Sequence, residues 1–157
     1  MQYPQRADNM IITGGLPLWM SFEAASAILP GDLVEFNNAA AGDCTIKAGT
    51  VDSTEVVAVA DISVQSSSTY RGGSRTHAYA AADQVRCFRG PVTCMLRLYT
   101  AETIQCGEML QPAASGEVKA YICATDESCQ RIAQSLETLT ANTLTFQWIH
   151  VALERFG

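Results

Sequence analysis

The chain has 157 residues, 48% of them hydrophobic and 17% charged, the length of one domain with enough apolar side chains to enclose a core. Its formal charge of −6, with lysine confined to Lys47 and Lys119 and the arginines scattered, excludes the clustered cations on which sequence-independent nucleic-acid binding depends. No apolar run approaches the ~18 residues of a bilayer-spanning helix, and the opening Met1 to Arg6 has neither the positive nor the apolar region of a secretory signal. A chain neither exported by a signal peptide nor embedded is expected, with its six cysteines as free thiols rather than a disulfide framework.

In chain order, residues 1–15 read as an N-terminal arm with little structure of its own, and residues 16–157 as a single β domain. The arm carries one apolar pair, Ile11 and Ile12, as surface by which it can be tied to something else. Leu16 to Phe22 is apolar, and Pro17 makes it an edge strand or a covering segment. Glu23 to Ala27 has the composition of one helical turn, cut short by Pro30-Gly31. Strands are expected at Leu33 to Phe36, at Cys44 to Lys47, and over Glu55 to Val64 with a buried face of small residues.

Gln65 to Ala82 is rich in serine and glycine yet carries Tyr70, Arg71 and Arg75, residue types that make contacts. It reads either as a solvated loop or as a contact loop ordered by a neighbouring subunit. Gln84 to Tyr99 reads as a hairpin turning at Gly90-Pro91, with Cys87 opposite Cys94 as two buried thiols. Further strands are expected at Glu117 to Cys123 and Thr143 to Glu154, the latter with a change of phase near Trp148. Between them, Ile132, Leu136 and Leu139 have helical spacing, but Arg131 to Leu136 is read as a strand because of a repeat.

The repeat begins at Ile28-Leu29-Pro30-Gly31-Asp32-Leu33-Val34-Glu35, whose pattern returns as Ile104-Gln105-Cys106-Gly107-Glu108-Met109-Leu110-Gln111. The same shift carries Val56-Val57-Ala58 onto Ile132-Ala133-Gln134, and two matches in register point to a duplicated β unit. Asp32 and Glu108, each following a glycine at a strand entrance, are read as turn formers rather than as a catalytic carboxylate pair.

No catalytic, nucleotide-binding or zinc motif is present. His77 and His150 stand at no ligand spacing, and Cys87/Cys94 and Cys123/Cys129 are too widely spaced for the usual structural zinc pairs. The expectation is no catalytic, cofactor-binding or metal site and no enzymatic activity.

The Gly31-Asp32-Leu33-Val34 entrance, the Arg86-Cys87-Phe88-Arg89-Gly90-Pro91-Val92 stretch and the Glu102 to Gly116 run together resemble the small β-barrel capsid decoration, or cement, proteins of tailed bacteriophages. The resemblance implies an all-β fold, a small barrel or sandwich; the repeat adds two repeated units and residues 1–15 an extended N-terminal arm. It implies a structural protein without catalysis or cofactor, made in the host cytoplasm and bound to the major capsid protein on the outer surface of the virion, commonly as a homotrimer. Its contacts are then expected through Ile11 and Ile12 of the arm and Tyr70, Arg71 and Arg75 of the loop. The competing classes are a head fibre or receptor-binding component, and a β-barrel ligand-binding module or enzyme.

Overall fold

The computed structural model describes residues 11–14, 16–38, 44–61, 78–99, 102–122, 130–140 and 147–154. These residues form β1 (Ile11–Gly14), β2 (Leu18–Glu23), β3 (Leu33–Phe36), β4 (Ile46–Ala48), β5 (Val56–Ala60) and β6 (Gln84–Arg89). There follow β7 (Val92–Leu98), β8 (Met109–Pro112), a 3-10 turn at Ala114–Gly116, β9 (Val118–Ala120), β10 (Ala133–Ser135) and β11 (Gln147–Leu153). The fold is all-β.

The chain makes the same five-stranded unit twice. In the first, the strands lie in the order β2-β6-β5-β3-β4, and a parallel bridge between Ala24 and Ile46 joins the last strand back to the end of the first. In the second, the order β7-β11-β10-β8-β9 is identical, and a parallel pair between Leu98 and Val118 closes the barrel. The agreement extends to single bonds. Ile28 exchanges backbone hydrogen bonds with Tyr79, as Ile104 does with Leu139, and both isoleucines are fully buried. Gly31 and Gly107 turn the chain with φ of 82° and 88°, a region open to glycine without steric cost.

The repeat aligns one residue away from the expected register in its second element. Ala58 faces Val34 and Ala133 faces Leu110, so Ala58 corresponds to Ala133 rather than to Gln134. The reason is the two-residue period of a strand: Ala58 and Ala133 are buried, whereas Gln134 is exposed, and a slip of one residue exchanges the faces.

Two apolar clusters follow from this arrangement. Ile28, Val34, Ile46, Ala58, Ala60, Val85 and Cys87 fill the interior of the first unit. Leu33, Val59 and Phe88 point the other way, yet they too are fully buried, because they join the larger core formed by Leu96, Ile104, Leu110, Ile132, Ile149 and Val151 of the second unit. β5 is therefore apolar on both faces, which is why Val56 to Ala60 reads as an unbroken apolar run, while β3 and β6 each contribute one large side chain, Leu33 and Phe88, to the second core.

The expected hairpin over Gln84 to Tyr99 is not formed. β6 pairs with β2 and β5 in one sheet, and β7 pairs with β1 and β11 in the other. Gly90, at φ 121°, hands the chain from one unit to the next. Cys87 faces Met20 and Ala60, and Cys94 faces Ile11 and Val151, so the two thiols lie in separate cores. A tight turn is compatible with a hairpin, but both ladder positions of β6 are taken by β2 and β5, and β7 pairs with β1 and β11. Glu23 to Ala27 forms no helical turn, being held by the Ala24–Ile46 bridge. Within the Arg131 to Leu136 segment the strand is Ala133–Ser135, and no helix forms there. The phase change expected near Trp148 rests on Leu144 and Phe146, which lie outside the described residues; within β11, Ile149, Val151 and Leu153 are buried, His150 is exposed, and Trp148 packs partly buried against the core.

Candidate functional site

The charged centre of the molecule lies where the two units meet. Arg97, on β7, is only 7% exposed, and its guanidinium spans both halves. Nη1 donates to Asp32 Oδ1 at 2.5 Å, and Nη2 donates to Glu117 Oε1 at 2.7 Å. The second oxygen of Asp32 accepts the Leu29 N–H at 2.8 Å, closing the turn before β3, just as Glu108 accepts the Gln105 N–H at 2.9 Å before β8. Asp32 is thus a turn former, as expected, and also an anchor for the second unit. Gly116 makes the approach possible: with φ +76°, any Cβ there would lie 2.7 Å from Cβ of Asp32.

One cation between two buried carboxyls leaves a net negative charge with little solvation. Burial pushes the Asp32 carboxyl up to about 6, against the pull of Arg97, and burial likewise raises Glu117.

A second polar group lies alongside. Glu35 accepts hydrogen bonds from Ser53 Oγ at 2.5 Å and from the Thr50 N–H at 3.3 Å, and pairs with Lys47 at 3.4 Å. Burial opposes its ionisation, but these donors prevail and hold its carboxyl below the usual range. Gln111 takes the place of Glu35 in the second unit, facing Lys119 as Glu35 faces Lys47. Asp52 joins the halves by accepting from Gln111 Nε2 at 2.8 Å and pairing with Lys119 at 2.9 Å. The Gly116 N–H donates to the Gly49 carbonyl at 2.8 Å. Above this junction opens a groove of about 650 Å³, lined by Leu29, Asp32, Lys47, Val51, Ala78 and Ser115 among others.

A different surface surrounds the start of β2. Leu16 is 95% exposed, Leu18 52% and Trp19 42%. Trp19 packs edge-on against Phe88, with ring centroids 5.7 Å apart, and the Arg86 guanidinium lies 3.9 Å from the Trp19 ring centre. Arg89 stands opposite Leu18 in the ladder. This is an apolar strand edge rimmed by arginines.

Of the contact residues expected from sequence, Ile11 lies in β1, opposite Cys94 on β7, half-buried against the larger core. Ile12 is in the same strand, but its side chain lies outside the described residues. Tyr70, Arg71, Arg75 and His77 also lie outside them, as do Cys123 and Cys129. His150 is exposed and pairs through Nδ1 with Glu137 at 3.1 Å. Cys44, Cys87, Cys94 and Cys106 are free thiols. Burial pushes Cys87 up to about 12 and raises Cys94 as well, so neither carries the thiolate that nucleophilic chemistry needs. Among the described residues, no three His, Cys, Asp or Glu side chains stand close enough to hold a metal ion.

The fold defines an all-β protein of two tandem units, and a solved structure shares it. The chain is similar to the N base of the head fibre gp8.5 of bacteriophage phi29, with a TM-score of 0.55 over 88% of this chain and 95% of that one. Sequence identity is 10%, so the likeness is one of fold. No protein-family model matches the sequence, and no curated protein matches it.

Proposed function

We propose that this protein is a non-enzymatic structural component of a bacteriophage virion, carried on the outer surface of the head and bound there to the major capsid protein. The observation that carries the reading is the shared fold, over nearly the whole of both chains, with a head fibre base. The resemblance of the Gly31-Asp32 entrance and the Glu102 to Gly116 run to decoration proteins supports the same setting from sequence. The finer role is that of a decoration or cement protein that stabilises the shell as a homotrimer. A second reading, the base of a head fibre, is favoured by the same structural neighbour and differs in requiring a distal fibre held by this module.

The test is co-sedimentation with shells that lack the protein. Saturable, stoichiometric association is expected, and it should weaken when residues 1–15 are deleted or when Arg71 and Arg75 are replaced by alanine. A protein that stays in the supernatant at every concentration would refute the reading. Association unchanged by both alterations would remove the arm and the loop from it. Shells that resist heat better once coated identify a cement protein; coated shells of unchanged stability identify a fibre base.

A further inference from the structure

The internal repeat exposes a strand position that is filled in one unit and open in the other. In the second unit, the start of β7 is covered on its outer edge by β1, with Ile11 opposite Cys94, Thr13 opposite Thr93 and Gly14 opposite Val92. β1 belongs to neither five-stranded unit; it is an extra strand laid antiparallel on the barrel where β7 has not yet met β9. In the first unit, β2 takes the place of β7: it pairs with β6 as β7 pairs with β11, and its far end meets β4 as β7 meets β9. Setting Ala24 upon Leu98, the two residues of the closing bridges, places Leu18, Trp19 and Met20 where Val92, Thr93 and Cys94 stand. Among the described residues, nothing pairs with this edge of β2. Leu16, Leu18 and Trp19 around it are exposed apolar side chains, Leu16 the most exposed of the large hydrophobic residues described.

We propose that the open edge of β2 is a strand-addition site that receives an extended, β-branched apolar segment from a partner protein, laid antiparallel along Leu18 to Met20. The repeat itself specifies the occupant, since the equivalent edge is covered by Ile-Ile-Thr-Gly in extended form. Main-chain hydrogen bonds supply the general affinity of such an addition, and the side chains that alternate along the strand supply its selectivity. Arg89, opposite Leu18, favours a donor segment with an acidic residue beside its apolar ones, whereas Arg86, over Trp19, is already paired with Asp61 at 3.3 Å. An apolar edge of this kind left bare is an aggregation hazard, and soluble proteins ordinarily guard it with charge. Identifying the donor as a shell subunit rests on the function proposed above; the site does not.

The probe is a synthetic peptide of residues 9–15 of this chain, which contains Ile11–Gly14, the strand that fills the equivalent position. It is titrated into the full chain carrying Trp148→Phe, so that fluorescence reports Trp19 alone. A saturable change in Trp19 emission is expected. Methylating alternate peptide nitrogens on the peptide should weaken binding about tenfold or more, by removing donors worth roughly 1 kcal/mol each and blocking the approach. Leu18→Lys, at an exposed position, should abolish binding while leaving the fold intact by circular dichroism. No saturable change, equal binding by the methylated peptide, or binding that survives Leu18→Lys would each overturn the proposal. A dimer in sedimentation that Leu18→Lys dissociates would also overturn it, because the edge would then belong to a second copy. Failure to bind shells alongside success with the peptide would refute the shell-bound function and leave the site standing.

Discussion

Arg97 is the residue on which the junction between the units depends, and its removal leaves two buried carboxyls facing each other. Arg97→Ala should cost about 3–5 kcal/mol in denaturant unfolding, the usual consequence of breaking a buried ion pair from one side. Adding Asp32→Asn and Glu117→Gln should restore a large part of that loss; a triple variant no more stable than Arg97→Ala would show that packing rather than charge is at stake. The same cluster sets a pH dependence. Asp32 titrates near 6 when folded against 3.8 unperturbed, so between those values the folded protein binds the extra proton and stability rises as pH falls. Glu117, raised as well, acts in the same direction. Glu35 acts in the opposite one: its lowered carboxyl contributes stability above its unfolded pKa that is lost as the pH drops further. Asp32→Asn should flatten the rise between pH 6 and 4, measured as unfolding midpoints across that interval; an unchanged slope would detach it from Asp32. Gly116→Ala should be costly, since its Cβ would meet Asp32 at 2.7 Å, whereas Gly107→Ala meets nothing nearer than 4.0 Å and should lose only the ~1 kcal/mol of a strained backbone. Equal losses at the two glycines would contradict the account of the junction.

At the level of strands, the turn residues told most. Gly31-Asp32 and Gly107-Glu108 declared the repeat because a positive φ and a side-chain acceptor for the turn are local requirements, met within a few residues. The strand at Ala133 to Ser135 followed from the repeat although its spacing suited a helix. The partner of a strand is not local and so is not written in the turn: Gly90-Pro91 has the chemistry of a hairpin turn, yet β6 and β7 part company and enter different sheets. Arg97 was equally hidden, because its partners Asp32 and Glu117 come from distant positions that only the folded junction brings together. The arm was partly legible, its apolar pair being surface that needs a place to lie, but that β7 provides it was not. Removing residues 1–15 strips β1 from β7 and should lower the unfolding midpoint without abolishing the barrel, whose core lies in Leu96, Ile104, Leu110 and Ile149. Collapse of the truncated protein to an unfolded state would show that β1 is part of the core.

Taken whole, the molecule is a duplicated unit whose halves share one core, Leu33, Val59 and Phe88 of the first closing against the second. The shared apolar packing ties the two units together, and the surface-binding role proposed above falls to the edges and loops around them. The direct measurement is an electron cryomicroscopy difference map between heads saturated with the protein and heads lacking it. The account predicts ordered density on the outside of the shell, repeated at symmetry-related positions, into which the two tandem units fit. Density on the inner face, or none at full occupancy of the protein in solution, would contradict it.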